Sequence, residues 1–183
     1  MREAANIVES RGYGKVRLLF EDEASFGRSN KPRNCWCKKK IRPRVPCQHI
    51  RECRHSFGAV EPAAGAKLFA VSHKCDTIRM YFFLKKISQA FPDDIIVLVC
   101  DSASWHKNAE IVPDNMIIIN LPTGAPEMNP MEQIWREIRT YGFANILLPS
   151  LAAVLERFAD TVRALSHDTV ISITGRDWIF SMV

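Results

Sequence analysis

Apolar residues recur in this chain in two rhythms, and the change from one to the other falls about two-thirds of the way along. In the first part, V-R-L-L-F (16–20), S-F-G-A-V (56–60) and K-L-F-A-V (67–71) read as short strands, the last two separated by the turn-forming E-P-A-A-G-A. T-I-R-M-Y-F-F (77–83) alternates well enough to extend an antiparallel meander, and L-K-K-I-S-Q-A-F reads as a helix stopped by Pro92. D-D-I-I-V-L-V-C is nearly continuous in apolar side chains, as expected of a strand buried on both faces. A short polar helix around Trp105–Ile111 then leads to M-I-I-I-N-L (116–121), a further buried strand.

Beyond that point the period lengthens to that of a helix. Asn129, Pro130 and Glu132 open one helix that runs to about Tyr141, and Leu151, Val154, Leu155, Phe158, Val162 and Leu165 share one face of another. A last short piece ends near Trp178. Strand meander, helix, strand, helix, strand and then helices predict a mixed α/β layered fold. Residues 1–14 are polar and read as a lead-in or linker stump, and 15–183 as one domain. No apolar stretch approaches the roughly 20 residues of a membrane span, and the first residues lack the apolar core of a secretory signal. A cytoplasmic protein without membrane partners is expected.

Charge sharpens the picture through its distribution. The net charge is +5, yet Arg28, Lys31, Arg33, Lys38, Lys39, Lys40, Arg42, Arg44, Arg51 and Arg54 face one acid, Glu52, within a single stretch. That stretch carries +9 and the remainder about −4, which suits a polyanion-binding protein with carboxylates elsewhere. A solvated basic loop with no partner has the same composition. Within Gly27 to about Val45, a long connection, Trp36 is expected to be the one large apolar anchor. Cys35, Cys37, Cys47 and Cys53, with His49 and His55 among them, offer donors for zinc, but the gaps lack paired C-x-x-C knuckles. Cys75 and Cys100 read as small, half-buried residues in or beside strands.

Three acids stand out by position. Asp22 closes V-R-L-L-F, Asp101 closes I-I-V-L-V-C, and Glu132 lies just inside N-P-M-E-Q-I-W. Each has a plain structural explanation. E-D-E at 21–23 suits a solvated turn, and Glu23 competes with Asp22 for any role; Asp101 suits a helix N-cap; Asn129, Pro130 and Glu132 make a good capping-box pattern. Trp135 is most simply core packing. Together, two acids at strand ends and one at a helix start suit divalent cations, which favour oxygen ligands.

The chain around these acids adds a more specific signal. V-R-L-L-F-E-D-E-A-S-F-G-R, L-V-C-D-S-A-S-W-H-K and N-L-P-T-G-A-P-E-M-N-P-M-E-Q-I-W-R-E-I-R resemble the three signature blocks of the DDE transposases, nearest the bacterial insertion-sequence branch of the mariner-like superfamily. F-G-A-V at 57–60 and I-T-G-R-D-W-I near the end are also similar to that family, so the resemblance runs from about Val16 to Trp178. It implies a ribonuclease H-like fold, a mixed five-stranded sheet of antiparallel meander plus parallel strands, flanked by helices. It implies Asp22, Asp101 and Glu132 as catalytic and metal-binding triad, with Mg²⁺ as cofactor and Mn²⁺ as substitute. Two such ions would bracket a scissile phosphate and support in-line attack without a covalent enzyme intermediate. The implied activity is DNA cleavage and strand transfer in transposition of an insertion sequence.

Transposon ends and target DNA are then the expected partners, in a nucleoid-associated, DNA-assembled homodimer. Arg28, Lys31, Arg33, Lys38, Lys39, Lys40, Arg42, Arg44, His106 and Lys107 are the candidates for backbone contact, positioning the strand without reading it. Family members carry an N-terminal helix-turn-helix region, which is expected to be absent here, with end recognition supplied separately. Ser102 stands where the family usually has Asn, and T-G-A (123–125) replaces its commoner Pro-Tyr-Ser, which is expected to reduce activity while leaving metal binding intact. The competing readings are a metal nuclease of the same fold without strand transfer, an inactive remnant that only binds DNA, and a zinc module.

Overall fold

In a computed structural model that describes residues 12–29, 32–34, 36–103 and 112–181, five strands form one mixed sheet. They are β1 (Val16–Gly27), β2 (Cys53–Glu61), β3 (Ala66–Ser72), β4 (Ile95–Cys100) and β5 (Met116–Asn120), in the order β3-β2-β1-β4-β5. β1, β2 and β3 pair antiparallel, whereas β1, β4 and β5 pair in parallel. Among the described residues five α-helices follow or interrupt the strands, besides one 3-10 turn at Pro126–Met128: α1 (Thr77–Ala90), α2 (Met131–Phe143), α3 (Leu151–Ala164), α4 (His167–Thr174) and α5 (Asp177–Phe180). The expected mixed sheet flanked by helices is thus present. The proposed lead-in lies mostly outside the described residues, and so does the polar helix expected around Trp105–Ile111.

The sheet is covered on both faces. Leu19, Phe57, Ile96 and Leu98 pack against Met80, Phe83, Leu84 and Ile87 of α1. Phe20, Phe26, Val60 and Val97 pack against Ile134 and Trp135 of α2, Phe158 of α3 and Val170 of α4. All six residues of β4 are buried, as the continuous run I-I-V-L-V-C demands of a central parallel strand. β5 differs from its expectation. It is an edge strand, and Ile119 and Asn120 at its end are exposed.

Two further expectations are corrected. Residues 77–83 are the first half of α1 and not a strand of the meander. Asp76 caps the helix by accepting the Arg79 N–H at 3.0 Å, and Met80, Phe83, Leu84 and Ile87 then fall on one buried face. The alternation of the segment is weaker than this 3.6-residue stripe, which continues without a break into 84–90. The first strand does not stop at Asp22 either. β4 pairs with β1 only as far as Phe20↔Val99, but β2 continues the pairing through Phe26↔Arg54 and Gly27↔Cys53. Asp22 therefore lies mid-strand, where the parallel neighbour ends and β1 runs on.

Candidate active site

Strand alternation decides which of the E-D-E acids faces the site. Phe20, Asp22, Ala24 and Phe26 share the face of β1 that α2 covers, so Glu21 and Glu23 point the other way. Glu21 is fully buried and Glu23 half-buried, and neither lines the pocket at the end of β4. Asp22 does line it, together with Asp101, Glu132, Ser102 and Asn129, around a cavity of about 600 Å³. The three acids singled out by sequence thus open on one space. Asp101 arrives there because β4 runs parallel to β1 and ends at Cys100, one residue before it, and Glu132 because it lies in the first turn of α2.

The helix carrying Glu132 is tied to β1 by two hydrogen bonds. Asn129, almost fully buried, donates its Nδ2–H to the Glu21 carbonyl at 2.8 Å and accepts the Met131 N–H on Oδ1 at 3.1 Å. One side chain therefore satisfies the first helical N–H and fixes the helix start against the backbone beside Asp22. The expected capping box does not form: Pro130 is the N-cap, and the Glu132 N–H goes to the Asn129 carbonyl at 3.2 Å. The Asn129 N–H goes to the Pro126 carbonyl at 3.0 Å, and Glu132 stays exposed at the pocket.

The second tie is Trp135, whose indole N–H donates to Asp22 Oδ2 at 2.9 Å. Sequence reasoning assigned this residue to the core alone. It is buried, with its ring against Phe26 and Phe69, but it also orients the strand carboxylate. A tryptophan three residues after Glu132 was the available signal, since a buried indole N–H needs an acceptor.

Electrostatics at Asp22 is unusual for an aspartate. Burial, followed by the negative charge of Glu132, pushes its carboxyl up to about 7, against the lowering effect of hydrogen bonds from the Glu23 backbone and Trp135. On Asp101, Oδ1 accepts the Ala103 N–H at 2.9 Å, so a turn-capping role and exposure at the pocket coexist. Gly124, with φ of +78°, shapes the opposite wall, and Ser102 donates to the Leu121 carbonyl at 3.3 Å.

As the side chains stand, no three His, Cys, Asp or Glu among the described residues are gathered closely enough to hold one ion. The donor set nevertheless fits a hard divalent cation. It is all carboxylate oxygen, and the repulsion between Asp22 and Glu132 is what such a cation relieves. The cysteine-rich stretch offers less. Cys37, Cys47 and Cys53 are exposed, Cys47 Sγ lies 3.8 Å from His49 Nε2, and Cys35 is outside the described residues.

The candidate DNA contacts are spread over the segment between β1 and β2. Lys38, Lys39, Lys40, Arg42 and Arg44 are exposed, while Arg28 is half-buried with Glu52 at 2.9 Å. Arg33 donates to Thr140 Oγ1 at 2.7 Å; Lys31, His106 and Lys107 lie outside the described residues. Trp36 does not anchor this segment, since its side chain is fully exposed. Polar ties do so instead: Arg28 Nε and Gln48 Nε2 both donate to the Leu148 carbonyl, and Arg33 exchanges hydrogen bonds with Asn145.

Residues 17–154 match the family of DDE superfamily endonucleases. The uncharacterized protein y4pE/y4sA of Sinorhizobium fredii is 37% identical over 126 residues, 67% of this chain and 93% of that protein. Among solved structures, a pre-cleavage Mos1 transpososome is similar with a TM-score of 0.68 at 12% identity, over 94% of this chain and 57% of that one. The catalytic domain of Mos1 mariner transposase gives 0.58 at 11% identity, over 94% and 84%. At such identities the likeness is one of fold, ribonuclease H-like, and the chain spans little more than half the length of the full transposase chain.

Proposed function

This chain belongs to the DDE superfamily endonucleases, and from that premise we propose that it is the catalytic domain of a transposase, cleaving and joining DNA strands at the pocket formed by Asp22, Asp101 and Glu132. The observation that carries the reading is the convergence of these acids, from two parallel strands and a helix start, on one cavity. Bound there, divalent cations, Mg²⁺ or Mn²⁺, supply the Lewis acid that polarises a scissile phosphate and activates the attacking oxygen.

The protein's own residues do the rest. Asp22, half-buried, is held at Oδ2 by Trp135, Asp101 is held at Oδ1 by the Ala103 N–H, and both line the pocket. Glu132 closes the set from α2 without a competing capping bond. The exposed cations Lys38, Lys39, Lys40, Arg42 and Arg44 suit the backbone of a DNA substrate. A paired assembly on two DNA ends, with end recognition from another region or protein, belongs to the same proposal.

Cleavage and strand transfer of a DNA duplex with a pre-cut 3′ end, in Mg²⁺ and in Mn²⁺, provide the test. Wild type is expected to join the end to target DNA, and Asp101→Asn to lose both steps while still binding DNA. Cleavage without joining would leave a nuclease of the same fold. Salt-sensitive binding with no cleavage in either metal would leave an inactive remnant. Wild-type activity in Asp101→Asn would overturn the site.

A further inference from the structure

A second cleft lies where β1 overhangs the sheet, between Phe26–Ser29 and the C-terminal half of α2. It encloses about 410 Å³ and is lined by Ser25, Ser29, Arg28, Arg33, Arg139 and Phe143, among others. We infer that this cleft holds a backbone phosphate of the DNA strand leading away from the catalytic pocket, with Arg139 as its principal anchor. The inference rests on the DNA-cutting reading and adds a second contact point to it.

Charge is the first reason. Three guanidiniums face the cleft, and among the described residues the carboxylate that touches them is Glu52, bound to Arg28 at 2.9 Å. Arg33 is satisfied by a neutral hydroxyl, Thr140 Oγ1 at 2.7 Å. Arg139 has no carboxylate within 4.0 Å among the described residues; its guanidinium lies over the Phe26 ring at 5.4 Å. Stacking of this kind uses the face of the guanidinium and leaves its N–H rim for an acceptor. A phosphate matches that rim with two parallel hydrogen bonds.

Position is the second reason. Glu132 and Arg139 are seven residues apart on α2, which at 1.5 Å per residue is about 10 Å. That distance is about three nucleotides of axial rise in duplex DNA. Trp135 lies between the two sites, bonded to Asp22 on one side and with its ring 5.8 Å from Phe26 on the other. The cleft and the catalytic pocket are therefore successive openings along one helix. The exposed basic segment between β1 and β2 borders the second opening through Arg28 and Arg33.

Metal-free binding separates this inference from the catalytic one. The affinity of the whole protein for a short fluorescein-labelled duplex is measured in EDTA across a salt series, for wild type, Arg139→Gln and Ser29→Glu. Arg139→Gln is expected to bind more weakly and to reduce the slope of log affinity against log salt by about 0.9, the loss of one phosphate contact. Ser29→Glu, which puts a carboxylate at the exposed rim, is expected to weaken binding as well, and it serves if Arg139→Gln fails to fold. Wild-type slope and affinity in a folded variant overturn the inference, as does a changed sedimentation coefficient with unchanged DNA binding, which assigns the cleft to a protein contact. Neither result touches the cleavage assay on Asp101→Asn, so the two readings fail separately.

Discussion

Trp135 and Asp22 are 113 positions apart in sequence and joined by a 2.9 Å hydrogen bond, indole N–H to carboxylate Oδ2. The helix that presents Glu132 therefore also holds the carboxylate that Glu132 repels. Trp135→Phe keeps the ring in the core and removes the donor. A hydrogen bond to a charged group contributes about 1.5–3 kcal/mol, so Mn²⁺ affinity measured by calorimetry is expected to fall about tenfold or more. Affinity equal to wild type would show that the bond has no part in ligand orientation.

The Asp22 carboxyl, pushed up to about 7 from an ordinary 3.8, makes the metal-free protein sensitive to pH. Between those values the folded state holds a proton that the unfolded state has released. Stability is therefore fully present below about 4 and is lost as pH rises through 7. Asp22→Asn removes the dependence and is expected to stabilise the metal-free protein at pH 8 by roughly 1–3 kcal/mol. Urea denaturation across pH in EDTA checks the sign.

Glu132→Gln tests the coupling between the two acids. Removing the negative charge relieves one of the causes that raise Asp22, so the pH at which stability falls is expected to move down. Cleavage in Mg²⁺ is expected to drop at least a hundredfold while DNA binding persists, because the change removes a proposed oxygen ligand and no proposed backbone contact. Loss of DNA binding in parallel with cleavage would point to a structural role for Glu132.

Asn129 joins a helix start to a strand, and its removal costs both bonds at once. Asn129→Ala leaves the buried Glu21 carbonyl without this donor and the Met131 N–H without its cap. A loss of about 2–3 kcal/mol is expected, one part from the cap and one from the stranded carbonyl. Denaturant midpoints measure it, and a change under 0.5 kcal/mol, the range of ordinary surface substitutions, argues against the tie.

Gly58 stands opposite Asp22 across β1 and β2, on the face that α2 covers. A Cβ there would lie 2.5 Å from Met131 Cε and 2.6 Å from Trp135 Cη2. The methionine tip can swing aside, but the indole is buried and bonded. Gly58→Ala is expected to cost about 1–3 kcal/mol by overpacking and to weaken Mn²⁺ binding as Trp135→Phe does. Stability loss with wild-type Mn²⁺ affinity would show that the ring yields without releasing Asp22.

Much of this was legible along the chain, because the signals were local. The apolar run before Asp101 dictated a central strand, the Asn-Pro start dictated where α2 begins, and the spacing of Val154 and Phe158 dictated the buried face of α3, although Leu155, expected on that face, is exposed. The segment 77–83 was misread because seven residues are too few to separate the two periods, and the arbiter was a buried stripe extending into 84–90 together with the Asp76 cap. The role of Trp135 was invisible for a different reason. A hydrogen bond needs an acceptor at a particular point in space, and nothing in N-P-M-E-Q-I-W specifies a partner 113 residues away.

The sequence by itself determined the elements, the basic stretch and which acids are candidates, since propensity, period and charge are properties of neighbours in the chain. Tertiary structure alone decided that Asp22 and not Glu23 faces the pocket, that β1 overhangs β4 to form a second cleft, and that α2 ties both sites to one strand. Those outcomes depend on strand register and on which face a helix covers. They are settled by long-range pairing, where a shift of one residue would turn every side chain of β1 to the opposite face.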